Sequence, residues 1–252
     1  MKLSVVIITK NEERNIERCF KSIVDVADEI IVVDSFSTDN TIALCDKYDV
    51  KVIQRKFDGY GSQKHFATEQ ANFDYVLSLD ADEELSFELK NSILAVKENS
   101  EYDCYSFNRR NFCCNKAIRF CGWYPDKQIR LFNKHLLNWN DRTVHELIEV
   151  SNKQIISHLS GDLNHYTCSS FAEQREKGEK YARISADIIA KKRKSIFWIT
   201  PYVKYCFVFF KTYIIKLGIL DGYYGLEISR ISAKSSFSKY ASARKIIIHN
   251  RK

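Results

Sequence analysis

Apolar residues follow two alternating patterns along the first eighty positions. Leu3–Thr9 is an almost unbroken aliphatic and β-branched run, which predicts a strand buried on both faces. Ile16, Cys19, Phe20, Ile23, Val24 and Ala27 then recur at helical spacing, with Asn11 placed to cap that helix. Glu29–Asp34 predicts a second buried strand, 41–48 a short helix, 51–55 a third strand, 63–71 a helix, and Tyr75–Asp80 a fourth strand. Strands recurring every 22–26 residues with helices between them are βαβ units, hence a mostly parallel sheet flanked by helices in an α/β fold. Beyond Asp82 the pattern is mixed, with a helix over Phe87–Glu98 and strands over 103–109, 127–132 and 163–167. A polar helix over 170–193 and an apolar, aromatic stretch over 196–220 follow.

The strand ends carry the candidate chemistry. Strand one ends at Thr9 with Asn11 close behind, strand two at Asp34, and strand four at Asp80-Ala81-Asp82-Glu83-Glu84. Ligands of parallel sheets bind beyond the carboxyl ends of the strands, so these groups converge on one edge. Residues two apart in extended backbone point the same way, so Asp80 and Asp82 present two hard oxygen ligands together. Such a pair suits Mg²⁺ or Mn²⁺ shared with a diphosphate. Neither a GxGxxG nor a GxxxxGK[ST] segment is present, which excludes a dinucleotide-binding dehydrogenase and a P-loop nucleotidase.

Charge changes the picture more than size does. The 252 residues suit one large domain with an appendage, placed at 1–170 and 171–252. From Lys191 onward, fourteen Lys and Arg face only Asp221 and Glu227, whereas residues 1–190 hold 25 bases and 30 acids. A basic, aromatic extension predicts contact with an anionic membrane surface; its bases flank an apolar stretch rather than a recognition motif, which argues against nucleic acid. The aromatic stretch is interrupted by Lys204, Lys211 and Lys216, so it fails as a spanning helix, which needs ~20 mainly apolar residues. Eight cysteines without a CxxC pair read as scattered thiols of a reducing compartment. The apolar run at 3–8 is shorter than the roughly 7–15 residues of a signal peptide core, which predicts a cytoplasmic protein, peripheral on the inner face of the membrane.

The segments SVVIITKNEERNI (4–16), EIIVVDSFSTDNT (29–41) and VLSLDADEEL (76–85) resemble the inverting family-2 glycosyltransferases of GT-A fold. DGYGSQKHFA (58–67), CGWYPDKQIRLF (121–132) and DRTVHELIEV (141–150) are similar to the branch containing bacterial lipopolysaccharide core β-1,4-glucosyltransferases. The resemblance implies that Thr9, Asn11 and Glu12 line a nucleotide pocket, that Asp34 accepts from a uracil N–H, and that Asp39 sits near base and ribose. It places Gln63 and Lys64 at the pocket's closure, with a solvated helix position the alternative for Lys64. Asp80 would approach the ribose or the metal, and Asp82 would ligate the metal. Glu146 would be the base that deprotonates the acceptor hydroxyl, with Asp141 and Glu149 as rivals. Arg130 would recognise an anionic acceptor or form a structural ion pair. His165 would complete the metal site or be a satisfied core residue. Two positions depart from the family: Phe36 stands at a usual Gly, in a turn where positive φ disfavours Phe, and His65 at a common Asn.

The activity implied is transfer of a hexose, glucose foremost, from a UDP-sugar to a lipopolysaccharide-core or other lipid-linked saccharide. A polyprenyl-phosphate sugar synthase shares the first three blocks. A nucleotidyltransferase would release diphosphate instead of a nucleoside diphosphate. A degenerate lipid-surface binding protein is the non-enzymatic alternative, against which the joint presence of Asp34, Asp39, Asp80, Asp82 and Glu146 argues.

Overall fold

The computed structural model describes residues 1–140, 147–148, 150 and 155–250. Along the chain run β1 (Leu3–Thr9), α1 (Ile16–Ile23), β2 (Glu29–Asp34), α2 (Thr41–Cys45), β3 (Lys51–Gln54), α3 (Tyr60–Glu69), β4 (Tyr75–Asp80), β5 (Glu83–Leu85) and α4 (Phe87–Glu98). Then come β6 (Cys104–Cys113), β7 (Lys116–Ala117), β8 (Asp126–Asn133), β9 (Ile156–Cys168), α5 (Phe171–Lys192), α6 (Thr200–Phe210) and α7 (Gly222–His249). The chain divides into two compact units, 1–109 with 127–165, and 110–126 with 166–252. The sequence pattern placed one boundary at 170; the second unit also takes in the excursion at 110–126, which no shift in composition marks.

In the first unit, β2 and β4 both pair parallel to β1, and β3 pairs parallel to β2. The order β3-β2-β1-β4-β8 turns antiparallel at β8, as Leu77 pairs with Leu131. Every residue of β1 is buried, as its unbroken aliphatic run requires of a strand covered on both faces. Register carries the functional consequence: Thr9 pairs with Asp34 and Ile8 with Asp80, so the three polar strand ends stand level at one edge.

Helix α1 buries Ile16, Cys19, Phe20 and Ile23 against this sheet, whereas Val24 is exposed. Its start differs from the expectation. Asn11 does not cap it; the Asn15 and Ile16 N–H groups both donate to the Glu12 carbonyl, and this turn delays the helix to Ile16. Asn11 itself takes φ 56° and its side chain accepts from the Thr38 N–H at 2.8 Å. Helix α4 starts as its sequence reads, with the Leu89 N–H donating to the Ser86 hydroxyl at 3.2 Å.

In the second unit α5 and α7 lie against each other. Buried Glu227 accepts from Arg175 at 2.8 Å and Arg230 at 2.9 Å, and the Ser235 hydroxyl donates to the Gly178 carbonyl. The apolar, aromatic stretch at 196–220 is not one continuous helix: after α6, residues Lys211–Ile215 widen into a π turn, and Leu217 takes a left-handed φ of 53°. A short 3₁₀ turn, Gly218–Asp221, then leads into α7. A Cβ on Gly225 would lie 1.8 Å from the Gly218 carbonyl oxygen, so this turn packs backbone to backbone on α7.

Phe36 adopts φ 58° and is half exposed, so the loop keeps the left-handed turn despite lacking Gly. The Ser37 N–H and hydroxyl both donate to Asp34 (2.9 and 2.5 Å), which holds the turn closed. A non-glycine residue there costs about 1–2 kcal/mol, whereas Gly costs about 0.5–1 kcal/mol of backbone entropy. Phe36→Gly is expected to leave stability unchanged or raise it by up to about 1 kcal/mol. Thermal unfolding checks this; a clear loss would mean that the ring itself holds the loop.

Candidate active site

The edge formed by β1, β2 and β4 collects the charged groups of the first unit. Asp80, the last residue of β4, lies between two cations that are themselves almost wholly buried. The Lys64 ammonium, from α3, stands 3.0 and 3.1 Å from its two oxygens. The Arg130 guanidinium, from β8, donates to it at 3.2 Å. Both cations also face the ring of buried Trp139, at 4.8 and 5.2 Å from its centroid. Burial pushes the Asp80 carboxyl up, but the charges of Lys64 and Arg130 and the hydrogen bond from Lys64 outweigh it and hold the group well below the ordinary carboxylate range. Lys64 is therefore not a solvated helix residue, and Arg130 does form an ion pair.

Glu83 extends the network, and sequence reasoning passed over it as one of four acids in 80–84. It is fully buried, accepts from the Asp80 N–H at 2.9 Å and from Arg130 at 3.2 Å, and stands 3.6 Å from Arg109. Three cations (Lys64, Arg109, Arg130) thus gather around Asp80 and Glu83, a concentration of basic groups of the kind that can hold an anionic group. Trp139 was also missed; its indole N–H is buried without a hydrogen-bond partner among the described residues. Only the pairing of distant segments brings it here, and no local pattern marks it.

Asp82 and His165 form a second pair. Antiparallel pairing of β5 with β9 sets Glu83 opposite His165, and His165 Nε2 lies 3.3 Å from Asp82. Burial pulls the imidazole pKa down, but the charge and hydrogen bond of Asp82 prevail and raise it. Among the described residues no group of three or more His, Cys, Asp or Glu could hold a metal alone. One carboxylate oxygen and one imidazole nitrogen nevertheless fit a divalent ion that takes its remaining ligands from a diphosphate and water. Asp80 is committed to its two cations.

The nucleotide-side residues assemble at the ends of β1 and β2. Asp34 is fully buried, accepts from Ser37, and has the Gln54 amide at 3.5 Å. Asp39 accepts from the Thr41 N–H and hydroxyl (3.0 and 2.5 Å) and from the Glu13 N–H. Burial opposes these bonds, which together keep its carboxyl below its usual range. The Glu12 N–H donates to the Thr41 hydroxyl at 2.8 Å, and the Thr9 hydroxyl is buried with no hydrogen-bond partner among the described residues. Buried Gln63 accepts from Arg55 at 2.6 Å and donates to Ser35 at 3.1 Å. Arg55, also missed, clamps Asp58 with two bonds of 3.0 and 2.8 Å. Glu146, Asp141 and Glu149 lie outside the described residues.

The sequence model of Glycosyl transferase family 2 matches residues 4–171, and the chain belongs to that family. It is a glycosyltransferase, and its α/β fold is of the GT-A type. A glycosyltransferase of Rickettsia bellii (strain RML369-C) is 33% identical over 97% of this chain and 87% of its own length. The lipopolysaccharide core biosynthesis glycosyltransferase LpsC of Rhizobium meliloti (strain 1021) is 26% identical over 95% of this chain and 93% of its own. Among solved structures, S. aureus TarS 1–349 in complex with UDP is similar at a TM-score of 0.48 and 17% identity, covering 100% of this chain and 91% of that one.

Removing the anion between two buried cations is costly, about 3–5 kcal/mol for a fully buried pair. Asp80→Asn should cost less than that, because 23% of its side chain reaches solvent. A carboxyl held below its ordinary value of about 3.9 stabilises the fold above that pH and loses the contribution as pH falls towards the folded value. The stability gap between wild type and Asp80→Asn, measured by urea unfolding, should be constant from about pH 5 to 8 and shrink below about pH 4.

Proposed function

We propose that this enzyme transfers a hexose, glucose foremost, from a UDP-sugar to a lipopolysaccharide-core or other lipid-linked saccharide, with inversion at the anomeric carbon. The observation that carries the reading is the level edge where Asp34, Asp80 and the Asp82–His165 pair meet the cations Lys64, Arg109 and Arg130. Family membership supports the donor class, and the relationship to LpsC supports the acceptor class.

In this reading the nucleotide lies over the ends of β1 and β2, with Asp34 and Asp39 at the base and Thr9, Asn11, Glu12 and Gln63 around it. Lys64 and Arg130, fixed by Asp80, hold the diphosphate by charge. Asp82 and His165 would hold Mg²⁺ or Mn²⁺, which when bound would supply positive charge beside the diphosphate leaving group. Glu146 takes the proton of the acceptor hydroxyl as its oxygen bonds to the anomeric carbon. The bond from that carbon to the diphosphate breaks on the opposite face, and UDP leaves.

A panel of nucleotide-sugars, with identification of the released nucleotide, tests the reading. UDP from one hexose donor is the expected product; release of diphosphate would indicate nucleotidyl transfer, and glycosylation of polyprenyl phosphate a lipid-carrier synthase. Glu146→Gln should retain donor affinity and lose transfer by about 10²–10⁴-fold; near-normal turnover would move the role to Asp141 or Glu149. Asp82→Asn should abolish the Mn²⁺-dependent part of UDP binding in calorimetry while melting at the wild-type temperature. Undiminished metal-dependent binding would remove Asp82 from the metal site.

A further inference from the structure

Helix α6 wears its apolar stripe on the outside. Pro201, Lys204, Val208 and Thr212, at helical spacing, are buried or partly buried, and this side meets α7: Tyr202 packs edge-on to Phe237 at 5.1 Å, and Lys204 lies 5.5 Å over the Tyr240 ring. A second row, Ile199, Val203, Phe207, Phe210 and Ile214, recurs at the same spacing on the other side. Val203, Phe207 and Phe210 are each more than half exposed, and Ile199 and Ile214 more than two-fifths. Phe197 and Trp198 continue the row at one end, and Ile215 and Leu220 at the other, all more than half exposed. A continuous stripe of this kind marks a docking surface.

Charge identifies the occupant. The run Lys191, Lys192, Arg193 and Lys194 is exposed near Phe197 in the chain, and Lys211 and Lys216 are exposed along the stripe. Between Lys194 and Gly225 the only acidic residue is Asp221, and its carboxylate accepts from the Arg119 and Phe120 N–H groups at 3.3 and 2.8 Å. Two copies meeting on this stripe would oppose like charges. An anionic lipid surface satisfies both the apolar row and the bases, and aromatic rings favour that interface. No described helix is long and apolar enough to cross a membrane.

We propose that the apolar face running from Phe197 along α6 to Leu220 lies in the headgroup region of an anionic bilayer, with α6 parallel to it, Trp198 and Phe207 among the inserted side chains and the bases at 191–194 on the phosphates. The inference goes beyond the transferase reading, and its test needs no turnover, so either can fail alone.

The full chain is floated with vesicles of phosphatidylcholine, alone or mixed with phosphatidylglycerol, and its mass is followed by light scattering. Binding to the mixed vesicles at least tenfold stronger than to the neutral ones is expected. Combined Val203→Ser, Phe207→Ser and Phe210→Ser substitution should reduce it at least tenfold, and each base neutralised within 191–194 about fivefold. Because the triple variant can misfold, quenching of tryptophan emission by brominated-chain lipid, lost in Trp198→Phe, reads the same contact in a near-native chain. Equal binding to neutral vesicles, absence of quenching, or a dimer that the triple variant dissociates would overturn the proposal, the last by assigning the stripe to a second copy.

Discussion

Two cations, Lys64 and Arg130, are buried beside the strand-end carboxylate of Asp80, with Glu83 also against Arg130, and the rest of the site depends on these pairings. Isolated charges of that size cannot be taken from water without a partner, so α3, β4 and β8 can close on the sheet only with the three groups in register. Trp139 completes the arrangement by offering its π face to both cations, and Glu83 ties the Asp80 backbone to Arg130. The outcome is a division of labour within Asp80-Ala81-Asp82. The first carboxylate is spent inside the protein, and the second is turned towards His165.

That division was not legible in the sequence, although much else was. β1, β2, β4 and α4 have the bounds read from the sequence, because strands buried on both faces demand nearly continuous apolar runs, and Ser86 caps α4. Asp34, Asp80 and Asp82 could be found because acids at the ends of such strands stand out. Glu83, Trp139 and Arg55 could not, since their roles arise from pairings between distant segments: β4 with β8, β5 with β9, and Arg55 with Gln63 across a turn. Asn11 misled for a related reason. A capping residue has several backbone donors within reach, and here the loop at Ser37 and Thr38 engaged it before the helix could.

The second unit inverts the usual logic of amphipathic helices. In α5 and α7 small residues, Ala186 and Ala243, face inward and pack with Ile196 and Ile247. In α6 the larger apolar residues face outward, which is why periodicity alone correctly found an apolar segment yet could not say which side of it was covered.

The close approach at Gly225 bears on how that outer face is displayed. With no room for even a methyl group between Gly225 and Gly218, the turn bearing Leu217, Ile219 and Leu220 is seated on the rigid start of α7 and is not free to sample many shapes. Apolar residues on a mobile loop would lose that freedom whenever they were captured, and the loss would weaken capture. Here the ordering has already been done by folding. The exchange of one side chain for a backbone contact thus converts a solvent-exposed turn into a preformed wedge.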